Sequence, residues 1–236
     1  ARRAESFQMR IVGIVRDGVP FDQALYGDIQ YTGANMGTYS AANNNHFQAL
    51  DDSNADLSDP AILVRRTQSE LANVPAGVTG AAAPVPSGIL TTRSYGAALY
   101  SAGTNRRVLR YSFMNFVCHD MEQLMDTTRA DFRVRQDVSR SPGGEAIVFR
   151  NKCAGCHAGM DGLAGAFAYY DFVDIDGNDS LDQLVYTPGA VQGKNLINAN
   201  VFPEGYVTAD DSWMNLWTEG QNAKIGWRGA TSGNGV

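Results

Sequence analysis

The chain has 236 residues, 44% of them hydrophobic and 19% charged, and carries a formal net charge of −6 at pH 7. This is enough material for one large or two small domains with a sizeable core, and the acidic balance without a basic stripe excludes nucleic acid as an expected partner. No apolar stretch approaches the roughly 20 residues that cross a bilayer, so no transmembrane segment is predicted.

Residues 1–57 are predicted to form an irregular, strand-containing region. Phe7, Met9 and Ile11 alternate with polar or charged neighbours, which is typical of an exposed strand. The stretch 31–45 is dense in glycine, asparagine, serine and threonine, so we expect loops there.

Residues 58–236 are predicted to form a mainly helical region. Asp59-Pro60 is expected to open a charged helix that ends near Ala72. Four further helices are expected. The first is capped by Thr91-Thr92 and ended by Gly103, and the second runs from Arg106 to Met125. The third consists of small residues over 162–170, and the fourth begins with a capping box at Thr208 and Asp211 and runs through Trp217 to Gly220. The predicted fold class is therefore mainly α with irregular loops and a few short strands, as one integrated domain.

The segment Cys153-Ala154-Gly155-Cys156-His157 carries the most specific chemistry in the chain. Two thiols three positions apart, followed directly by a histidine, are the pattern that attaches haem c covalently, with the histidine as an axial ligand of the iron. The sequence therefore predicts one covalent haem c, bound through Cys153 and Cys156 with His157 as the proximal ligand.

A Cys-x-x-Cys segment also has two other common interpretations, a redox dithiol and a zinc site. A thioredoxin-like dithiol would follow a strand, whereas the preceding residues 141–150 have the pattern of a short helix. A zinc site could recruit Cys118 and His119, but these two are adjacent, and structural zinc sites usually use two spaced pairs of ligands. Only the haem interpretation uses both cysteines and His157.

Several motifs of the chain together resemble a known family. They are Pro142-Gly143-Gly144, Phe149, the run from Cys153 to Asp161, Ala166-Phe167-Ala168, Asn105-Arg106, Cys118 and Asn44-Asn45-His46-Phe47. The set resembles the cytochrome c domains of large exported proteins of planctomycetes and marine bacteria, which have a C-x-x-C-H-x-x-M-D signature. The resemblance implies an exported haem protein, with a cytochrome c-like haem core enlarged by an N-terminal region.

The second axial ligand decides the chemistry of such a haem, because a filled sixth position favours electron transfer and an open one permits peroxide chemistry. Met160 lies too close to His157 in sequence to reach the opposite face of the porphyrin. His119 falls on the polar face of its predicted helix. By elimination we predict His46, with Met121 as the methionine alternative.

The predicted function is electron transfer by a monohaem c-type cytochrome with redox partner proteins. Because haem c is attached outside the bacterial cytoplasm, we expect a periplasmic or extracellular protein whose leader has been cleaved. The alternative is a peroxidase-like haem enzyme with an open distal site.

Two further expectations concern assembly and calcium. Residues 1–14 could add a strand to a neighbouring copy and so build a homopolymer, a filament. The acidic segment 171–182 does not fit an EF-hand, because Asp179 and Val185 stand at the required glycine and glutamate positions. A different calcium site and a solvated turn both remain open.

Overall fold

The computed structural model of the protein describes residues 6–101, 105–126, 128, 147, 149–177, 182–196, 209–217, 222–223 and 230–236. The chain divides into two compact units: unit 1 comprises Ala1–Ser101 and Asp171–Tyr186, and unit 2 comprises Ala102–Tyr170 and Thr187–Val236. This division does not follow the predicted boundary after residue 57. Within the described residues the fold is mainly helical with small two-stranded sheets, in agreement with the coarse prediction of fold class.

Unit 1 is built from short helices and two strand pairs. Its helices are α1 (Ser6–Arg16), α2 (Gln23–Tyr26), α3 (Asn45–Asp52), α4 (Gln68–Leu71) and α5 (Arg93–Leu99), with a 3-10 turn at Gly88–Thr91. Its strands are β1 (Gln30–Gly33), β2 (Leu63–Arg66), β3 (Tyr170–Asp174), whose first residue belongs to unit 2, and β4 (Asp182–Tyr186). β1 and β2 are antiparallel, with Gln30 opposite Arg66 and Gly33 opposite Leu63.

The strand predicted near the N-terminus is wrong, because Ser6–Arg16 is the helix α1. Its buried residues recur at the spacing of three to four that one helix face requires, and they are Ser6, Met9, Arg10, Gly13 and Ile14. A Cβ at Gly13 would overlap the Tyr31 ring, so only glycine lets α1 lie this close to β1. The alternation that indicated a strand covers only three apolar residues, too few to separate the two periods.

Arg10 holds α1 to the segment that follows it. The guanidinium is fully buried and donates to the carbonyl oxygens of Gln23, Ala24, Gly27 and Ile29. Burial lowers its pKa to about 10, although Asp28 and Tyr31 act in the opposite direction. One side chain thus donates to four carbonyl oxygens of α2 and its loop, of which those of Gln23 and Gly27 also accept from backbone amides.

The single helix expected over residues 59–72 is also wrong. Leu63–Arg66 is strand β2, and α4 begins only at Gln68, where the Thr67 hydroxyl caps it by accepting from the Glu70 amide. Pairing with β1 outweighs the local helix signal because it buries Leu63 completely. The predicted cap at Thr92 is confirmed: its hydroxyl accepts from the Tyr95 amide at the start of α5. Gly103 lies outside the described residues.

Unit 2 contains three α-helices in its described part, α6 (Arg106–Ser112), α7 (Met121–Leu124) and α8 (Ala154–Ala164). It also contains π-helical segments at Phe113–Val117 and Phe149–Cys153, 3-10 turns at Gly165–Phe167 and Gly193–Leu196, and the antiparallel strands β5 (Ser212–Met214) and β6 (Ser232–Asn234). No helix of the described residues is long and apolar enough to span a membrane.

The long helix predicted from Arg106 to Met125 is interrupted. After the π-helical segment, Cys118 adopts a left-handed conformation with φ 58°, and α7 starts again behind Asp120. The Asp120 carboxylate accepts from the Glu122 amide and from Arg110, at 3.1 Å in each case. The cap and the ion pair stabilise the turn between the π-helical segment and α7. The spacing of apolar residues, on which the helix prediction depended, carries no information about such polar contacts.

Of the last two expected helices, the one over residues 162–170 is correct only in part, and the one expected from Thr208 to Gly220 is wrong over residues 212–214. Residues 162–164 end α8, Gly165–Phe167 is a 3-10 turn, and Tyr170 already begins β3. Ser212–Met214 is a strand where a helix was expected, because it pairs with Ser232–Asn234. Thr208, Gly220 and most of 141–148 lie outside the described residues.

Candidate haem-attachment site

The Cys-x-x-Cys-His segment lies on a continuous helical stretch. The π-helical turn Phe149–Cys153 continues directly into α8. Positions three and four apart on a helix are neighbours, so Cys156, His157, Met160 and Asp161 share one side of α8. The local structure therefore presents Cys156 and the histidine together, one turn after Cys153.

The opposite side of α8 is made of glycine. Its members are Gly155, Gly159 and Gly162. A Cβ at Gly155 would lie 3.2 Å from the Met125 backbone, and one at Gly159 would overlap the buried Trp217 ring. Close packing on this face fixes the direction in which the other face points.

His157 contacts a buried carboxylate through Nδ1. The distances from Nδ1 to Oδ1 and Oδ2 of Asp161 are 3.2 and 3.3 Å, and the His157 side chain is 23% exposed. An ionised carboxylate only accepts hydrogen bonds, so the proton of the neutral ring lies on Nδ1. Nε2, on the other edge of the ring, is then the atom with a lone pair for a metal.

Asp161 is held in this position by Arg106. The carboxylate is fully buried, and Nε and Nη2 of Arg106 donate to its two oxygens at 2.6 and 2.7 Å. Burial by itself would raise the pKa of Asp161, but the charge of Arg106 and the hydrogen bond from His157 hold it well below its usual range. The carboxylate is therefore ionised at neutral pH.

Asn105 anchors the start of α6 beside α8. It adopts a left-handed conformation with φ 57°, and its side-chain amide donates to the carbonyl oxygens of Phe167 and Tyr170 at 2.6 and 2.9 Å. Arg106 follows directly and is thereby placed against Asp161. The sequence assigns no site role to Asp161 or Arg106, although both stand in the motifs of the family resemblance and Asp161 lies four residues after His157.

The two thiols of the motif are partly exposed and not joined to each other. Cys156 Sγ lies 3.8 Å from Sδ of Met125. Burial, together with the charge of Glu122, raises the pKa of Cys156 above its usual value. The raised pKa of Cys156 keeps this thiol protonated at neutral pH.

The described residues give no support to a zinc site. No group of three or more histidine, cysteine or acidic side chains in that part of the chain is arranged to hold a metal ion. Cys118 and His119 are both exposed. A haem iron does not require such a group, because four of its ligands come from the porphyrin.

His46, predicted as the second axial ligand, lies in unit 1 on α3. Its Nε2 accepts from the Gly33 amide at 2.9 Å, and Nδ1 lies 3.2 Å from the Gly37 carbonyl oxygen. Burial lowers its pKa, although the Gly37 hydrogen bond acts in the opposite direction. Iron ligation by His46 stays a prediction, and it would take Nε2 from the Gly33 amide.

The alternative ligands lie in unit 2. Met121, at the start of α7, is 1% exposed, and His119, just before α7, is exposed. Ligation by either residue stays a prediction.

In the acidic segment, the Asp174 carboxylate accepts from the amides of Asp176 and Gly177, as in an Asx turn. Residues 178–181 lie outside the described residues, so calcium binding stays open.

The residues of unit 2 fit a haem c. Cys153 and Cys156 are accessible on the same helical stretch as His157, whose Nδ1 is held by Asp161. Exposed apolar side chains that could cover a porphyrin edge occur on α6 and the segment after it, at Tyr111, Met114 and Val117.

Comparisons of the chain with protein families, with curated proteins and with solved structures found no match.

Proposed function

We propose that unit 2 binds one covalent haem c and that the protein transfers electrons outside the bacterial cytoplasm, between redox partner proteins. The observation that carries the proposal is the display of Cys156 and His157 on the non-glycine face of α8, with His157 Nδ1 on a buried carboxylate. When bound, the haem supplies a one-electron Fe(III)/Fe(II) couple.

Different residues of the chain would attach the haem, bind its iron and orient the histidine ligand. Cys153 and Cys156 would hold the haem through thioether bonds to its two vinyl groups, a net addition of S–H across each C=C bond that needs no oxidant. His157 would provide Nε2, and Asp161 keeps the ring from turning by accepting from Nδ1. The glycine face against Met125 and Trp217 keeps α8 in place.

Haem attachment can be tested by expressing the protein with a haem c maturation system in a periplasm. We expect a haem-stained band after denaturing electrophoresis and an intact mass equal to the polypeptide plus one haem. The double variant Cys153→Ala/Cys156→Ala should lose the covalent haem. Cys118→Ser, which removes the exposed cysteine outside the motif, should keep it. A colourless wild-type band at the bare polypeptide mass would refute the proposal.

Peroxide reduction is the second candidate function. The Asp161 carboxylate on Nδ1 favours it, because such a partner increases the basicity of the histidine ligand. EPR of the ferric protein separates the two candidates. A low-spin signal with negligible peroxide-dependent dye oxidation is expected for the electron carrier, whereas a high-spin signal with dye oxidation would favour the enzyme.

A further inference from the structure

We propose that Asp161 and Arg106 act as an opposed pair that sets how strongly His157 donates electron density to the iron. Asp161 lowers the reduction potential and Arg106 raises it. This inference rests on the proposed function, because it requires His157 to be an iron ligand. It assigns positioning roles to two residues 55 positions apart in the chain.

The first step is the sharing of one carboxylate between two donors. Asp161 receives both guanidinium bonds at 2.6 and 2.7 Å, whereas Nδ1 of His157 lies at 3.2 and 3.3 Å. The shorter contacts show that the carboxylate is drawn towards Arg106. The hydrogen bond to His157 is correspondingly weak for a charge-assisted one.

The second step is the effect of that sharing on the ligand. A carboxylate that accepts from the Nδ1–H of a metal-bound histidine increases the basicity of Nε2, and a more basic ligand stabilises the ferric state. Arg106 removes part of this effect by holding the same oxygens. Because Asp161 is fully buried, solvent screens these charges only weakly.

Replacing each partner of the ion pair distinguishes an effect on the reduction potential from a purely structural contact between α6 and α8. If the ion pair only joined α6 to α8, removing either partner would loosen the same contact, and the potential would move in one direction. If the pair tunes His157, the two removals have opposite effects. Asp161→Asn deletes the negative charge, whereas Arg106→Gln removes the guanidinium that competes with His157 for the carboxylate. The sign of each shift therefore distinguishes the two roles.

The experiment measures midpoint potentials at pH 7 of the haem-loaded protein and its variants. We expect Asp161→Asn to raise the midpoint potential and Arg106→Gln to lower it. Each shift is expected to be about 59 mV, which for one electron is a tenfold change in the Fe(III)/Fe(II) equilibrium constant. Arg106→Lys, which keeps the charge but cannot hold both oxygens, should lower it less. NMR of the Nδ1 proton should show faster exchange with solvent in Asp161→Asn.

Matched controls come from the ion pair Arg110–Asp120 on the same part of unit 2. Arg110→Gln and Asp120→Asn change the same charges without touching Asp161, so smaller shifts are expected. Shifts of the same sign for Asp161→Asn and Arg106→Gln, or shifts no larger than the controls, would overturn the inference. So would loss of haem from Asp161→Asn and both Arg106 variants while the wild type stays loaded. A wild type without haem refutes the proposed function instead.

Discussion

His46 and His157 differ in what their ring nitrogens contact. His157 Nδ1 contacts a charged carboxylate, whereas both nitrogens of His46 contact uncharged backbone groups. His46 also lies edge-on to Tyr39 and Phe47. These contacts join α3 to β1 and the loop after it, and ligation of iron by His46 stays a prediction.

The pH dependence of stability tests this description of His46. Its folded pKa is lowered by burial, so as the pH falls below about 6.5 the unfolded state binds the proton first. The free energy of unfolding should therefore fall from about pH 6.5 towards the folded pKa of His46. His46→Gln should cost about 1–2 kcal/mol at pH 7, because its amide replaces the two hydrogen bonds imperfectly, and its stability should decline less between pH 7 and 5.

Urea denaturation of the haem-loaded protein at pH 7, 6 and 5 measures both effects. His119→Gln is the control, because His119 is exposed. Equal pH slopes for wild type and His46→Gln would contradict the role described here. A change of the ferric haem to high spin in His46→Gln would instead identify His46 as the axial ligand.

At the scale of elements, the helices of unit 2 end or bend where polar contacts compete with the helical backbone. Cys118 and Asp120 break the stretch that apolar periodicity alone predicts as one helix. α8 shows the opposite case, because its weakly helix-forming glycines persist inside a helix. They lie where the helix packs tightly on Met125, at Gly155, and where an added Cβ would overlap the Trp217 ring, at Gly159.

Gly159→Ala tests the close packing of α8. The added methyl would overlap the Trp217 ring, which is fully buried and cannot move into solvent. We expect the free energy of unfolding to fall by about 1–3 kcal/mol. Gly193→Ala is the matched control, because no atom lies within 4 Å of the added methyl, and a change within about 0.5 kcal/mol is expected. Similar losses in both variants, by thermal or urea denaturation, would argue against the packing.

At the scale of the whole molecule, the described parts of both chain ends are tied to the chain's own units. α1 is fixed within unit 1 through Arg10, and β6 pairs with β5 within unit 2. The Trp213 indole also donates to the Gly235 carbonyl oxygen at 3.1 Å. Residues 6–14 are helical, so the strand predicted there is wrong, whereas residues 1–5 lie outside the described residues and self-assembly stays a prediction.

Sedimentation velocity tests the consequence for assembly. A sedimentation coefficient of the haem-loaded protein that is independent of concentration would argue against the predicted homopolymer. Removing residues 230–236 should lower the melting temperature, because β5 loses its partner, without changing the oligomeric state. A sedimentation coefficient that increases with concentration would support self-assembly through a surface other than a strand of residues 6–14.

The sequence by itself determined the features that depend on neighbouring residues. These are the spacing of Cys153, Cys156 and His157, the cap at Thr92, and the absence of a membrane-spanning helix from the described residues. Covalent spacing and capping act over a few residues, so a local pattern is enough to recognise them.

Only the tertiary structure decided the features that join distant residues. α1 is a helix because its buried face packs on β1 and Arg10 reaches four carbonyls further along the chain. Asp161 belongs to the site because Asn105 places Arg106 against it. A local pattern cannot report these contacts, because the free energy that selects them comes from burial and hydrogen bonds between segments that fold together.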